Sequence, residues 1–369
     1  MLWNFHGLTV EGLWEDEAIG ERWLAAFASR PQVASRPELS FRLALSPDAP
    51  PAPSAQPDFQ QGELLAYYIN PALSALEPRG VPKGEGGPRV TAHFPRFGQL
   101  HLDLSCGVTT GVITPNALVT YGVFEDLIAI GLSPHFRRRG RFLIHAFAAV
   151  TPTPALPRSQ TTRTGEGVDS PPLSRSSATG EPPEERALHG PGVGVLLVGD
   201  IGAGKTTTGL ALLHAGWKLL SNDSPILTRA PHSNLRVLAY PGLLSAYPDT
   251  LARFPELAGI APPTETRQKT LFAAESIYPD VWVESAPPAG IVFPQVESRA
   301  DHALERLPAP EALRLILPHA IEQWDREMIP AHLALLNQLV QSVPAYRLRL
   351  GPDSSTIPAM IASAIDRRG

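Results

Sequence analysis

Residues Gly199–Thr206 read Gly-Asp-Ile-Gly-Ala-Gly-Lys-Thr and fit the spacing G-x-x-x-x-G-K-[ST]. The pattern dictates a local geometry before it suggests a ligand. Glycines let the main chain curl so that successive N–H groups point inward at an anion. From that curl Lys205 reaches outer phosphates, and the Thr206 hydroxyl stands where a Mg²⁺ ion is held. The flanks agree. Val193–Val198 is a short apolar run that reads as a buried strand. Thr207–Ala215 reads as a helix with Leu210, Leu212 and Leu213 on its apolar side and Gly216 as its stop. Gly199, Asp200, Ile201, Gly202, Ala203, Gly204, Lys205, Thr206 and Thr207 are therefore the expected nucleotide contacts, with ATP and Mg²⁺ the expected ligands.

The 369 residues allow two domains, and 43% hydrophobic content supports a substantial core. A formal charge of −5 argues against nucleic acid as a partner. The single cysteine, Cys106, excludes an intrachain disulfide and a cysteine-rich zinc site, which suits a cytoplasmic protein. No secretory signal and no membrane span are expected: the longest apolar stretch, Val119–Leu132, is interrupted by Glu125 and Asp126.

The 40 prolines cluster. Pro47–Pro57 reads as a polyproline-like loop. Thr151–Arg186 is rich in Pro, Ser, Thr, Gly and Arg and nearly lacks large apolar residues, so it is expected to be a disordered insertion, spanning about residues 151–187, in a surface loop. Residues 1–115 show short alternating runs (Leu2–Phe5, Leu8–Val10, Phe41–Leu45, Thr91–Phe94, Leu100–Leu104, Gly111–Thr114) and one helix over Glu15–Ala28, the pattern of a small β-rich module. His93, His101 and Asp103 within it fit strand alternation better than a metal site. Residues 116–369 alternate strand and helix patterns, as an α/β domain does. Pro115–Arg139 reads as one helix ending in a solvated Arg137-Arg138-Arg139-Gly140 stop. Gly290–Phe293 and Tyr346–Leu350 read as strands. Pro310–Leu317, Ala331–Val343 (with Leu333, Leu336, Leu339 and Val340 as its stripe) and Thr356–Arg367 read as helices.

A second strand, Trp217–Leu220, follows the P-loop helix and ends in Ser221-Asn222-Asp223. Strand, loop, helix and strand form a βαβ unit that points both carboxyl ends at one sheet edge, where ligands of such sheets bind. Asp223 is thereby placed to hold Mg²⁺ or to take a proton from an acceptor hydroxyl. Ser221–Pro225 are all turn residues too, so an ordinary turn is the competing reading. Upstream, Phe142–Val150 reads as one strand. Folded back with Val150 opposite Val193, it sets His145 opposite Val198, beside the phosphate loop, and leaves His189 at the far end. Arg267, Gln268 and Lys269 carry cations that a mobile loop brings to a transferred phosphate, with a solvated surface pair as the default.

Leu143-Ile144-His145-Ala146, Gly192–Thr206, His214-Ala215-Gly216-Trp217 and Leu220-Ser221-Asn222-Asp223 together resemble the catalytic domain of the HPr kinase/phosphorylase family, over residues 123–227. The family's P-loop is related in shape to that of phosphoenolpyruvate carboxykinases. The resemblance implies an α/β P-loop kinase core, with His145 assisting near the γ-phosphate, Lys205 and Thr206 holding phosphate and Mg²⁺, and Asp223 binding metal or acting as base. The implied catalytic set is Asp223, His145 and Lys205, and the implied metal ligands are Thr206 and Asp223. Family members often form rings, so a homo-oligomer is implied as well. Asn222 stands where the family has the first Asp of a pair. The glutamate-arginine-glycine-rich signature of the enzymes that modify HPr is not found, which argues against HPr as the substrate. Two functions follow: an ATP-dependent kinase acting on a hydroxyl of a protein, peptide or small molecule, or a catalytically weak ATP-binding sensor, the latter favoured by Asn222.

Overall fold

Strand Gly194–Val198 is apolar throughout because both of its faces are covered. Val195 and Leu197 pack on one side with Leu210 and Leu213 of helix Lys205–His214 and with Ile361 and Ile365 of helix Ile357–Asp366. Leu196 and Val198 pack on the other, with Ile316 of helix Ala309–Ile316 and Leu336 and Leu339 of helix Ile329–Ser342. The computed structural model describes residues 1–27, 32–69, 88–152, 192–230, 234–260 and 268–366. It is a mixed α/β structure of several sheets and helices. The expected insertion lies outside the described residues beyond Pro152, as do His189 and Arg267.

The sheet containing Gly194–Val198 has six strands, in the order Lys218–Ser221, Ala146–Val150, Gly194–Val198, Pro288–Val296, Ala345–Leu350, Ala303–Leu307. Gly194–Val198, Pro288–Val296 and Ala345–Leu350 run parallel. Ala146–Val150 is antiparallel to both neighbours, so it is intercalated between the two strands of the βαβ unit, which still point the same way. The P-loop helix ends as expected: Gly216 has φ +83°, its N–H bonds Leu213, and the Trp217 N–H bonds Leu212.

An eight-stranded sheet occupies the N-terminal part, in the order Leu2–Phe5, Leu8–Trp14, Leu39–Leu45, Val108–Ile113, Gly98–Asp103, Arg89–Phe94, Leu65–Ile69, Phe59–Gln61. Trp3, Phe5, Phe41 and Leu100 of this sheet share one core with Trp23 and Phe27 of helix Glu17–Phe27. The same core takes in Phe124, Leu127, Leu132 and Phe136 of helix Val123–Arg137 and reaches Leu238, Tyr240 and Trp324. His101 bonds Thr91 at 3.0 Å and Gln99 at 3.0 Å, and Asp103 accepts from Ser105, so these side chains serve the sheet. A further sheet has four strands, Ser285–Ala286, Leu235–Leu238, Ile226–Arg229 and Arg141–Leu143, which alternate along the chain with strands of the six-stranded sheet.

Four expectations are corrected. Pro115–Arg139 is two helices, Pro115–Val119 and Val123–Arg137, because Gly122 adopts φ +75° and turns the chain between them. At its basic end only Arg139 and Gly140 are exposed. Arg137 is 3% exposed, donates from Nε to Asp325 at 2.7 Å and lies 5.3 Å from the Trp324 ring, while Arg138 donates to both oxygens of Asp325. Phe142–Val150 is likewise two strands, Arg141–Leu143 in the four-stranded sheet and Ala146–Val150 in the six-stranded one. At the crossing, Ile144 N–H bonds the Pro225 carbonyl and His145 N–H the His319 carbonyl. Helix Ile329–Ser342 buries His332, Leu335, Leu336, Leu339 and Val340, leaving Leu333 39% exposed. A histidine belongs to the stripe because its ring packs, tilted by 31°, with its centroid 4.6 Å from that of Phe142.

Asp325 is the shared counter-ion of two arginines and is itself 4% exposed. Asp325→Asn leaves a buried guanidinium uncompensated, so urea unfolding is expected to show a loss of about 3 kcal/mol. A loss below about 1 kcal/mol would mean that water, not Asp325, neutralises the arginines.

Candidate active site

The loop Gly199–Gly204 leaves strand Gly194–Val198 at its carboxyl end and enters helix Lys205–His214. Gly202 and Gly204 have φ +84° and +101°. A Cβ on Gly204 would run into the Leu350 side chain, so this position is glycine for space as well as conformation. No side chain caps the helix that follows. Its first N–H groups, with the positive end of the helix dipole, face the mouth of a cavity of about 850 Å³ that Gly204, Lys205, Thr206 and Thr207 line. A volume of this size suits a nucleotide together with part of a second ligand.

Lys205 Nζ bonds the carbonyls of Gly199 and Asp200, the latter at 3.2 Å, and lies 3.2 Å from His145 Nε2. Burial in the loop lowers its pKa; Asp223 opposes this, Lys269 adds to it and Asp200 opposes it. An ammonium can only donate, so Nε2 of His145 accepts and Nδ1 carries the ring proton. Nδ1 is 3.3 Å from Asp223 Oδ1. Three residues 78 positions apart at their extremes thus form one line, ammonium to imidazole to carboxylate. The register is one residue away from that expected: Ala146, not His145, lies opposite Val198. The strand break then turns His145 toward the loop, where its N–H is held by His319 at 2.7 Å.

Asp223 sits in a turn, as its neighbours' chemistry requires, and that turn presents it. Ser221 Oγ accepts from the N–H groups of Asp223 and Ser224, and the Asp223 carbonyl accepts from Ala146 N–H at 2.9 Å. Asn222 donates to the Leu243 carbonyl at 3.2 Å. Thr206 and Asp223 both line the cavity. Thr207 is turned to the Thr250 hydroxyl at 3.2 Å. The Asp200 carboxylate is exposed, 3.8 Å from His319 Nε2, and Ile201 is 84% exposed at the loop tip. Among the described residues no group of three or more His, Cys, Asp or Glu side chains is arranged to hold a metal ion by itself.

The sequence does not single out two neighbours of the site, His319 and Asp126; it does name Lys269, with a solvated surface pair as the default. His319 follows helix Ala309–Ile316, far from the motif; burial lowers its pKa, Asp200 raises it, and His145 and Lys205 lower it further. Lys269 is not a solvated surface residue. It lines the cavity, with Nζ 5.3 Å from the Tyr247 ring and 5.9 Å from the Tyr121 ring. Asp126, in the first turn of helix Val123–Arg137, lines the cavity with its side chain exposed there. Partial removal from bulk water pushes its carboxyl up to about 7; the charges of Asp223 and Glu125 add to the rise and His145 opposes it. The only sequence signal was an acidic pair interrupting an apolar run.

No protein-family model matches the chain, and no curated protein matches it. Among solved structures, the Hpr(Ser) kinase/phosphatase from Coxiella burnetii is similar over 47% of this chain and 81% of that one, at 14% identity and a TM-score of 0.26. So loose a likeness decides nothing, and the case for a function rests on the side chains. No helix among the described residues is long and apolar enough to cross a membrane.

The Asp126 shift has a sign. A carboxyl raised from 3.8 to about 7 favours the fold when protonated. That contribution is complete below pH 3.8, declines as the unfolded chain ionises, and is gone once pH passes about 7. The melting temperature of Asp126→Asn is therefore expected to match wild type near pH 4, to exceed it by a margin that widens up to pH 7, and to keep that margin above. A margin independent of pH would contradict the environment described.

Proposed function

We propose that this chain is an ATP-dependent P-loop phosphotransferase, with a core of the HPr kinase/phosphoenolpyruvate carboxykinase type, that transfers the γ-phosphate to a hydroxyl. In this reading residues 1–115 form an N-terminal β-rich module and residues 116–369 a kinase domain carrying the insertion. The observation that carries it is the line Lys205–His145–Asp223 across the mouth of the phosphate loop. The donor set suits the ligand: an uncapped helix N-terminus and an ammonium for phosphate, and a hydroxyl and a carboxylate, Thr206 and Asp223, for Mg²⁺. Mg·ATP would supply the transferable phosphoryl group and its leaving group. Lys205 would then exchange the carbonyls it now bonds for phosphate oxygens. His145, held by the His319 carbonyl, keeps Asp223 oriented. Asp223 would receive the acceptor's proton or steady the metal, and Lys269 would add positive charge where the transferred group passes.

A second reading, an ATP-binding sensor of weak activity, is favoured by Asn222, whose amide is committed to the Leu243 carbonyl and cannot act as a base. Incubation with γ-labelled ATP, Mg²⁺ and a host lysate separates the two. The kinase reading expects a labelled hydroxyl acceptor, with labelling reduced about 100-fold or more by Lys205→Ala. Mg·ATP binding with no labelling, and labelling gained on Asn222→Asp, would establish the sensor instead.

A further inference from the structure

A two-stranded ribbon, Leu244–Ala246 with Thr270–Phe272, borders the cavity and is tied at both ends. At one end Asn222, the residue before Asp223, donates to the Leu243 carbonyl at 3.2 Å. At the other end Tyr247 follows the strand; its carbonyl accepts the Thr250 N–H at 3.0 Å, and the Thr250 hydroxyl meets that of Thr207 at 3.2 Å. The ribbon thus runs from the Asp223 turn to the first turn of the P-loop helix. Its antiparallel register pairs Ala246 with Thr270, so the next residues outward are Tyr247 and Lys269. The Lys269 ammonium lies 5.3 Å from the Tyr247 ring. Tyr121, from the turn between helices Pro115–Val119 and Val123–Arg137, brings a second ring to 5.9 Å. All three side chains line the cavity; Lys269 is half-buried and both tyrosines are exposed there.

A carboxylate would also hold an ammonium in place, but it would neutralise the charge and compete with an incoming anion. Aromatic rings attract the cation through their quadrupoles and leave its charge whole. Lys269 makes no ion pair among the described residues and rests on the two rings. Lys205 is held by uncharged groups as well, two carbonyls and an imidazole. The cavity therefore holds two ammonium groups that are positioned without being cancelled. A phosphate chain seated on the loop through Lys205 ends beside Asp223 in the phosphotransferase reading, and Asn222 anchors the ribbon to that same turn. We propose that Lys269 meets the γ-phosphate, that Tyr121 and Tyr247 are its positioning residues, and that the three together make the cavity prefer a nucleoside triphosphate to a diphosphate. The rings do not touch the phosphate; they act through Lys269. This rests on the phosphotransferase reading for the identity of the anion.

Calorimetric titration of the full chain with Mg·ADP and with the magnesium complex of the β,γ-imido analogue of ATP, which is not turned over, tests the proposal. Lys269→Met is expected to weaken the triphosphate analogue about tenfold and Mg·ADP less than about twofold. Tyr121→Leu and Tyr247→Leu together are expected to cost the triphosphate at least about threefold and again to spare Mg·ADP. Tyr121→Phe with Tyr247→Phe keeps both rings and is expected to bind as wild type does. In a Lys269→Met background the two leucines are expected to cost nothing further, a coupling that a merely structural role for the rings would not produce. The proposal is overturned if Lys269→Met weakens both nucleotides equally, or if the leucine pair leaves the triphosphate affinity unchanged. It is overturned too if the leucines still weaken binding once Lys269 is gone, or if the phenylalanine pair is as damaging as the leucine pair. Any of these results with both nucleotides bound leaves the nucleotide reading standing; folded wild type that binds neither nucleotide sinks that reading and the proposal with it.

Discussion

One lysine ammonium organises the mouth of the cavity. It is held by carbonyls of its own loop and by an imidazole delivered from another strand, and the imidazole's other nitrogen faces a carboxylate from a third. Each partner needs the others' positions. The loop curls because Gly202 and Gly204 take positive φ; the imidazole arrives because the chain leaves one sheet and enters another at Ile144–His145; the carboxylate is aimed by the Ser221 turn. Remove the strand break and His145 would lie along the sheet rather than at the loop.

The two largest sheets are joined through the same site. Helix Val123–Arg137 buries Phe124, Leu127 and Phe136 in the N-terminal core and turns Asp126 into the cavity. Arg137 and Arg138, at its other end, clamp Asp325 of the C-terminal part. One helix therefore ties the eight-stranded sheet to the C-terminal part of the chain. The eight-stranded sheet and helix Glu17–Phe27 pack against that helix, and Ala26 and Phe27 line the same cavity.

Local features were legible in the sequence. The P-loop spacing, the Gly216 stop and the alternating strands of the first 115 residues depend on short-range sterics and on period-two burial, and these elements are where such rules put them. Proximity in the chain also exposed Asp223. What could not be read depends on long-range packing. His319 reaches the site from a loop with no periodicity. The break at His145 is hidden because Phe142–Val150 is apolar on both sides of it, each half being buried in a different sheet. Arg137 reads as a solvated helix end until Asp325, 188 residues away, supplies its counter-ion. Gly122 could be seen, but the apolar residues around it continue the helical pattern on both sides and mask the turn.

The central claim is that the loop at Gly199–Thr206 closes on a nucleotide's phosphates through Lys205. Titration calorimetry of the folded chain with Mg·ATP measures this directly. The account predicts saturable one-to-one binding that Lys205→Ala weakens by at least about tenfold, a difference of about 1.4 kcal/mol. Heats no larger than dilution for Mg·ATP and Mg·GTP alike, with the protein shown to be folded, would contradict it.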